Sequence, residues 1–445
     1  MKILFISLGC DKNLADSEEM LGLLTGSGHE IVDSEEDADA IVINTCCFIH
    51  DAKEESVNTI LEMAEYKKTG KCKALIVTGC MAQRYKEEIT QEIPEVDAVL
   101  GTTSYGDIVK ALNEAQAGHV FQEFRDINEL PEDSGRRVLT TGGHFGYLKI
   151  AEGCDKHCTY CIIPSLRGKF RSVPEERLLA QAEYMASQGV KELILVAQET
   201  TVYGTDLYGK KTLHILLKKL CQIKGIRWIR VLYCYPEEIY DELIQVMKEE
   251  KKICNYLDLP IQHASDRILK RMGRRTTRKQ LEDIIAKLRR EIPDIVLRTS
   301  LITGFPGETQ EDHEELMEFV DEMEFDRLGV FTYSPEEGTP AETMEGQVPE
   351  EVKEERRDEL MSLQQEISLE KGDERIGQEL LVMIEGKVSG ESAYIARTYA
   401  DAPKVDGYIF VQTGELLVTG DFARVRVTGA LEYDLIGELV DEYTE

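Results

Sequence analysis

The sequence has no long hydrophobic run, no export signal and no excess of basic residues. No stretch of about 18 consecutive apolar residues occurs, which is the length needed to cross a membrane. The N-terminus also lacks a charged segment followed by a long apolar one. We therefore expect a soluble, cytoplasmic protein that has no membrane partner. Long internal repeats and low-complexity tracts are missing too, so a chain of ordinary globular domains is expected.

Basic residues are few relative to acidic ones. The chain has 52 lysines and arginines against 84 aspartates and glutamates, a formal net charge of −32. This charge repels phosphate backbones unless a local basic surface overcomes it, whereas a cationic partner is easier to accommodate. The composition thus disfavours nucleic-acid binding and favours a basic partner.

Cysteine, by contrast, is abundant. The chain has 11 cysteines. Since the cytosol keeps thiols reduced, structural disulfides are not expected. Some of the cysteines should be metal ligands, and the rest should be small buried hydrophobic residues.

Length and apolar content predict several domains. The chain has 445 residues, 42% of them hydrophobic. This is enough for roughly three domains of about 150 residues, each with its own core. Near the N-terminus, apolar runs at Ile3–Ile6, Ala40–Ile43 and Ala74–Val77 alternate with helical patterns, which indicates a parallel sheet. Around Glu123–Gly143 the sequence becomes polar and irregular, and we expect a linker there.

Six short apolar segments in the middle of the chain alternate with helical patterns. They predict an incomplete parallel β/α barrel of six units. The segments are Tyr147–Ala151, Leu193–Ala197, Trp228–Leu232, Tyr256–Leu259, Ile295–Leu301 and Arg327–Phe331. The charged stretch Pro349–Gly372 has helical periodicity, and we interpret it as a solvated connecting helix.

The C-terminal region contains short β-rich runs separated by glycines, which predict a small antiparallel barrel. The runs are Leu380–Ile384, Tyr408–Gln412, Leu416–Val418 and Ala423–Val427. Residues 376–445 hold 13 acidic and 5 basic side chains, a net charge of −8. Such a barrel is unsuited to RNA and suits a basic protein, although the acidity of the whole chain would produce the same count.

Three cysteines lie in a loop directly after the first strand of the predicted barrel. Cys154, Cys158 and Cys161 are too close in sequence to belong to separate elements, so their sulfurs must converge on one object. Thiolates this dense suit an iron–sulfur cluster or zinc, and zinc would need a fourth ligand, for which His157 is the only local candidate. In a four-iron cluster, three cysteines leave one iron open. We favour the cluster over zinc or coincidence, because such barrels carry their chemistry at the carboxyl ends of the strands.

Three further cysteines follow the strands of the predicted first sheet. Cys10, Cys46 and Cys80 come after its three apolar runs, and the carboxyl ends of parallel strands share one edge. A second cluster is favoured there, with independent half-buried cysteines as the alternative. Cys47 is expected to point away, although spacing alone does not exclude it as the ligand. The cysteines without partners at ligand spacing are interpreted as packing residues: Cys72, Cys221, Cys234 and Cys254.

Polar residues and a glycine follow the other strands of the predicted barrel and are candidates for holding a cofactor. Gln198 and Glu199 follow the second strand, Tyr235 the third and His263 the fourth. Gly304 opens a glycine-containing run after the fifth, where backbone amides can approach a ligand closely. Strand ends also need turns and caps, so a structural role remains open for each residue, including His263.

The loop cysteines resemble those of the radical S-adenosylmethionine superfamily, with three and then two residues between them and the aromatic Tyr160 before the last. The resemblance implies that Cys154, Cys158 and Cys161 bind a 4Fe-4S cluster and that S-adenosylmethionine occupies the open iron. One electron from the cluster would then split the sulfonium and release a 5′-deoxyadenosyl radical. A low-potential electron donor is therefore an implied partner.

Over essentially the whole chain, the sequence resembles the methylthiotransferase family. The resemblance rests on Ser7–Cys10, Asn44–Cys46 and Thr78–Cys80 together with the radical loop. It implies two 4Fe-4S clusters, the first on Cys10, Cys46 and Cys80, in an α/β multidomain protein. The implied parts are a Rossmann-like cluster domain at 1–117, a linker at 118–139, a radical core at 140–372 and a substrate-binding TRAM barrel at 373–445.

Two branches of this family compete. One modifies an adenosine of tRNA, and the other modifies the β-carbon of an aspartate in the twelfth protein of the small ribosomal subunit. Cys161–Ser172 and Asn13–Glu18 resemble the second branch, although Ala15 stands where valine is expected and Asp11 where proline is expected. The resemblance implies S-adenosylmethionine as both methyl donor and radical source, with the basic ribosomal protein as partner, either free or within the assembled subunit. A tRNA enzyme is the alternative, and a non-catalytic electron carrier is disfavoured by the barrel-like core.

Overall fold

The computed structural model describes residues 1–132 and 135–440, which form three packed units in chain order. Asp133 and Ser134, within the predicted linker, lie outside the described residues. So do residues 441–445, at the end of the predicted C-terminal barrel.

The N-terminal unit is a six-stranded sheet with helices on both faces. Its elements are β1 Lys2–Ser7, α1 Asp11–Gly26, β2 Glu30–Val32, β3 Ala40–Thr45, α2 His50–Thr69, β4 Ala74–Gly79, α3 Cys80–Tyr85, α4 Glu87–Glu92, β5 Ala98–Leu100, α5 Ile108–Gln116 and β6 Phe121–Glu123. The strand order is β2-β1-β3-β4-β5-β6, and every neighbouring pair is parallel. β3 and β4 are buried throughout because their side chains enter an apolar core on each face. The predicted Rossmann-like sheet is confirmed.

The strand β6 lies inside the predicted linker 118–139. It pairs with β5 and completes the sheet. Three residues with no apolar run give too weak a pattern to reveal a strand from sequence. The described residues between β6 and the next strand contain no helix or strand, as expected of a linker. The domain boundaries themselves stay predictions.

The central unit is an open, six-stranded β/α barrel. Its elements are β7 Phe145–Lys149, β8 Ala151–Glu152, α6 Ile163–Arg167, β9 Arg171–Ser172, α7 Glu175–Ser187, β10 Glu192–Val196, α8 Thr205–Tyr208, α9 Leu213–Leu220, β11 Trp228–Val231, α10 Asp241–Glu249, β12 Ile253–Asp258, α11 Asp266–Arg271, α12 Arg278–Glu291, β13 Val296–Thr303, α13 Gln310–Met323, β14 Arg327–Thr332 and α14 Glu350–Asp373. The main strands run in the order β14-β13-β12-β11-β10-β7, all parallel. Each of the six predicted segments is one of these strands, so the incomplete barrel is confirmed.

Helix α14 differs from the solvated connecting helix that its charge suggested. It packs against β14 and α13, and it buries one side of its length. Leu360 and Ile367 join the main apolar core of the barrel, while Gln364 donates to the carbonyl of Phe325 at 2.8 Å. Only a few apolar residues are needed on the buried side, because long polar side chains cover the rest.

The C-terminal unit is a closed, five-stranded barrel. Its strands are β15 Glu379–Lys387, β16 Ala393–Thr398, β17 Ile409–Gln412, β18 Phe422–Ala430 and β19 Leu435–Leu439. Four of the five pairings are antiparallel, but β17 and β19 run parallel, so the barrel is not antiparallel throughout. Leu416–Val418, predicted as a strand, forms a loop in which Leu416 is 82% exposed.

A buried ionic group joins the two barrels. Glu192 on β10 accepts from Arg230 Nε at 2.8 Å and from Arg397 Nη2 of β16 at 2.7 Å, and all three residues are 0% exposed. Beside them, Trp228 packs edge-on against Phe422 of the C-terminal barrel with ring centroids 4.9 Å apart. The C-terminal barrel is therefore docked against the inner face of the central strands.

Among the helices of the described ranges, none combines the length and the apolar character required to traverse a bilayer.

Replacing Arg397 with methionine should destabilise this docking by about 3–5 kcal/mol, because the Glu192 carboxylate would stay buried with one cation fewer. Urea unfolding followed by the fluorescence of Trp228, the single tryptophan, measures the effect. Arg426→Met is the matched control, since Arg426 pairs with Glu379 on the exposed surface of the same barrel. The control should cost about 1 kcal/mol or less. Equal losses in the two variants would contradict the importance of the buried group.

Candidate active site

The first cysteine trio lies at the carboxyl edge of the N-terminal sheet. Cys10 precedes α1, Cys46 directly follows β3, and Cys80 is the first residue of α3, directly after β4. Because β1, β3 and β4 are neighbours in the sheet, the three residues share one edge. The structure thus brings these three predicted ligands together.

Close backbone packing holds the loops of this edge. Gly9 has φ +87°, and a Cβ on it would lie 2.7 Å from the Cβ of Cys46, so only glycine fits. Asn13 on α1 donates to the carbonyl of Leu8 at 3.2 Å and to that of Thr45 at 2.9 Å. One amide therefore fixes the loop before α1 and the end of β3.

The thiols of this trio differ in burial. Cys10 is exposed, whereas Cys46 and Cys80 are buried. Burial, with Cys80 and Cys10 nearby, raises the pKa of Cys46 to about 12. Burial also raises the pKa of Cys80, and the neighbouring Arg167 guanidinium opposes that rise. Cys46 and Cys80 must therefore release protons to bind a metal.

The second trio lies in the loop between β8 and α6. Cys154 and Cys158 are buried, and Cys161 is partly exposed. The Tyr235 hydroxyl, at the end of β11, lies 3.6 Å from Cys158 Sγ. Burial raises the pKa of Cys154 to about 11 and that of Cys161 to about 12, with Cys158 contributing to both.

The donor chemistry of both trios is all thiolate. Such soft donors are what iron–sulfur clusters require. Within the described ranges, no group of three or more His, Cys, Asp or Glu side chains has the spacing for a single metal ion. Each cysteine of a cubane binds a different iron, so the ligands of a cluster lie further apart than those of one ion. His157, the candidate for a fourth zinc ligand, is exposed.

Three of the cofactor candidates end in buried polar atoms that have no hydrogen-bond partner among the described residues. They are Gln198 Oε1, Glu199 Oε2 and His263 Nε2. His263 Nδ1 accepts from the backbone N–H of Ser265 at 3.0 Å, so Nε2 carries the ring proton. Burial raises the pKa of Glu199 to about 7. Unpaired buried groups are costly, and here they follow β10 and β12, the strands on either side of β11, at the mouth of the barrel.

Tyr160 and Gly304 are placed differently. Tyr160 packs edge-on against Phe305 with ring centroids 6.4 Å apart. Gly304 has φ +69°, and a Cβ on it would lie 2.1 Å from the Cγ of Lys353 on α14. The helix above it thus accounts for this glycine, and a contact between Gly304 and a cofactor stays a prediction.

Cys47 belongs to an apolar core beneath the edge of the first sheet. It is fully buried, and burial together with the nearby Cys80 raises its pKa to about 12. Its exclusion as a ligand stays a prediction. The four cysteines interpreted as packing residues are all buried: Cys72, Cys221, Cys234 and Cys254.

Sequence reasoning missed the charged residues between the two trios. Lys12 on α1 lies 3.1 Å from the centre of the Tyr233 ring, and the Tyr233 hydroxyl donates to Asp11 at 3.1 Å. Arg167, the last residue of α6, donates to Cys80 Sγ at 3.5 Å. Only their positions in the sequence could have indicated these residues. Lys12 stands two residues after the predicted ligand Cys10, and Arg167 stands six residues after the predicted ligand Cys161.

The fold and the cysteine loop define a radical S-adenosylmethionine enzyme. The model described as Radical SAM superfamily matches residues 148–320. The model described as Uncharacterized protein family UPF0004 matches residues 2–101, and the TRAM domain model matches residues 376–440. These three matches fall on the three units of the structure.

Curated relatives match the whole chain. The ribosomal protein uS12 methylthiotransferase RimO of Lachnoclostridium phytofermentans is 64% identical over 437 residues, which cover 98% of this chain and 99% of the relative. That of Pelotomaculum thermopropionicum is 51% identical, with 99% of each chain covered. The chain belongs to the ribosomal protein uS12 methylthiotransferase RimO family, and it is a radical S-adenosylmethionine methylthiotransferase.

Solved structures share the fold at low sequence identity. The radical S-adenosylmethionine methyltransferase TsrM from Kitasatospora setae has a TM-score of 0.55 and 13% identity, covering 76% of this chain and 73% of its own. The cobalamin-dependent radical enzyme OxsB has a TM-score of 0.52 and 16% identity, covering 82% and 56%. At these identities the likeness concerns the fold alone.

Replacing Glu199 with glutamine should stabilise the metal-free chain at pH 8 but not at pH 5. The pKa of Glu199 rises from 4.5 to about 7 in the folded chain. As pH rises through this window, Glu199 loses its proton in the unfolded chain before it does so in the folded chain. The buried carboxyl therefore lowers the free energy of unfolding by about 3 kcal/mol above pH 7. Urea unfolding at both pH values measures the difference. Glu183→Gln, on the exposed face of α7, is the control and should change stability little at either pH. An equal effect of Glu199→Gln at both pH values would contradict the raised pKa of Glu199.

Proposed function

We propose that this protein transfers a methylthio group to the β-carbon of an aspartate in ribosomal protein uS12, with S-adenosylmethionine as methyl donor and radical source. The proposal rests on the pair of cysteine trios, each of which lies at the carboxyl ends of parallel strands in its own unit. Helix α6, which begins two residues after Cys161, reaches Cys80 through Arg167. The two sites therefore meet at one interface between the units.

The cysteines of both trios suit two 4Fe-4S clusters. Cys154, Cys158 and Cys161 would hold the radical cluster, and Cys10, Cys46 and Cys80 would hold the second. Three thiolates leave one iron of each cubane without a protein ligand. When bound, the clusters supply the electron for cleaving S-adenosylmethionine and the site from which sulfur is delivered. A low-potential electron donor is a further requirement.

The unpaired groups at the barrel mouth would hold S-adenosylmethionine. The His263 Nε2–H and the Gln198 and Glu199 oxygens supply one donor and two acceptors in a buried site. A polar ligand that completes their hydrogen bonds would recover the cost of burying them. Lys156 lies 4.0 Å from the free oxygen of Glu199 and also pairs with Glu237 and Glu238, so its charge is shared among three carboxylates.

The residues of the chain itself position the reactants and exclude water. Lys12, Asp11 and Tyr233 close α1 onto the end of β11, beside Cys10. A carbon radical reacts with whatever reaches it, so a closed site protects the reaction. An aspartate β-carbon offers no acid–base route, and the work left to the protein is alignment.

The C-terminal barrel favours a basic protein over RNA. Of its five basic side chains, Arg397 is fully buried against Glu192 and Glu385 and cannot contact a partner. Exposed carboxylates include those of Glu391, Glu415 and Glu432. Opposite charge would steer a lysine- and arginine-rich ribosomal protein toward this surface in the cytoplasm, and it would repel tRNA.

Single substitutions should separate the roles of the two trios. Cys46→Ala should lose methylthio transfer, keep reductive cleavage of S-adenosylmethionine to 5′-deoxyadenosine, and hold about half of the iron. Cys154→Ala should lose both activities. Cys47→Ala, a change in the adjacent buried cysteine, should keep the full iron content and the transfer. Iron and sulfide analysis and product chromatography measure these outcomes. Retained transfer in Cys46→Ala, or iron loss in Cys47→Ala, would refute the assignment of ligands.

The substrate can be identified in cells and by binding. Deleting the gene should remove one methylthio mass increment from an aspartate of uS12, as measured by mass spectrometry, and a plasmid copy should restore it. The full chain should bind uS12 more tightly than tRNA, and added salt should weaken that binding. An unmodified uS12 in both strains, or preferential binding of tRNA, would refute the choice of substrate.

A further inference from the structure

Arg167 is a buried cation that reaches from the central unit into the N-terminal site. It is 3% exposed and ends helix α6. Its Nη2 donates to Cys80 Sγ at 3.5 Å and also to the Asn13 side-chain oxygen. Its Nη1 donates to Asp16 at 2.8 Å and to Glu152 at 3.3 Å. The guanidinium therefore links α1, the strand β8 that precedes the radical loop, and a cysteine of the first trio.

The next residue contacts the other trio. The backbone N–H of Cys154 donates to the carbonyl of Gly168 at 3.2 Å. Gly153 has φ +75°, and a Cβ on it would lie 2.5 Å from that same carbonyl oxygen, so the two segments are in close contact. Gly168 has φ +70°, which permits this turn directly after Arg167. Two consecutive residues thus contact one cysteine from each trio.

We propose that Arg167 is a positioning residue that couples the two cysteine sites, fixing their relative placement and stabilising negative charge on the Cys80 sulfur. The inference rests on the proposed function for the identity of the N-terminal cluster. Charge-assisted N–H donors to a cluster sulfur favour the reduced, more negative state. Arg167 therefore raises the reduction potential of the N-terminal cluster.

Arg167 differs from the buried cations near it, Lys149 and Arg137, because it donates to a cysteine sulfur. Lys149 neutralises Asp16 and Glu152 together with Arg167, but the Lys149 amine donates to the carboxylates rather than to a sulfur. Arg137, from the stretch between β6 and β7, pairs with Glu18 on the same helix α1 at 2.8 Å and is also buried. Lys149 and Arg137 are thus matched controls for charge and for buried pairing.

The test uses the full-length chain with Cys154, Cys158 and Cys161 changed to alanine, which leaves only the N-terminal site. After anaerobic reconstitution this parent should hold about four irons, and its midpoint potential is measured by redox titration with electron paramagnetic resonance. Arg167→Met should lower the potential. Arg167→Lys, which keeps the charge but loses the planar donor pair, should have a midpoint potential between those of Arg167→Met and the parent. This second variant keeps the test available if the methionine variant does not fold.

The controls separate the contact from general destabilisation. Arg137→Met should lower the thermal midpoint of unfolding but keep the same midpoint potential as the parent. Lys149→Met should shift the midpoint potential less than Arg167→Met does. An Arg167→Met chain with the parental potential, or one whose shift Lys149→Met reproduces in full, would overturn the inference about Arg167 alone. A parent without iron would instead refute the two-cluster proposal, and the inference with it.

Discussion

The arrangement of the whole molecule depends on buried charges between helix α1 and the central unit. Asp16 and Glu18 project from α1 and are buried. The cations that neutralise them, Lys149, Arg167 and Arg137, all come from later in the chain. Removing such charges from water costs more than a loose ion pair returns, so only a well-defined geometry is tolerated. This requirement specifies how the first unit sits on the second.

That placement determines what the cysteines can do. A trio at the edge of a lone sheet could hold a cluster, but it could not deliver sulfur to a carbon activated at a separate barrel. Because α1 begins directly after Cys10 and carries the buried carboxylates, the helix that defines the interface also begins at a predicted ligand. The same logic applies at the other end of the barrel. There, Glu192 holds Arg230 and Arg397, and the C-terminal barrel is fixed against the strands rather than tethered by a flexible linker.

Much of this could be predicted from the sequence, and the reason is physical. Fully buried parallel strands such as β3 and β4 are continuous apolar runs, and motifs that follow them must share an edge. The three-residue strands β2 and β6 were not predictable, because their partners rather than their own residues specify them. Leu416–Val418 was wrongly predicted as a strand. Leu417 is buried in the core of the C-terminal barrel while Leu416 and Val418 are exposed, and this loop therefore has the alternation expected of a strand. Arg167 and Lys12 could not be assigned either. From sequence, a charged residue on a helix is expected to face solvent unless its distant partner is known. Asp16, a partner of Arg167, lies 151 residues away, and the Tyr233 ring that Lys12 contacts belongs to another unit.

The mouth of the central barrel contains buried polar groups that are energetically costly. Buried polar groups in a folded chain are almost always paired, and an unpaired one is retained only where something else completes it. Gln198 and Glu199 are adjacent in sequence, and His263 follows a strand two places along the sheet, yet each leaves one atom without a hydrogen bond. Glu199 and His263 each accept a backbone N–H through another atom, and His263 Nε2 lies 3.7 Å from Glu308 Oε2. Packing alone would favour apolar residues here, as it does for Ala197 directly before them. Each of these atoms can still form a hydrogen bond with a polar ligand, and burying them without one lowers the stability of the ligand-free protein.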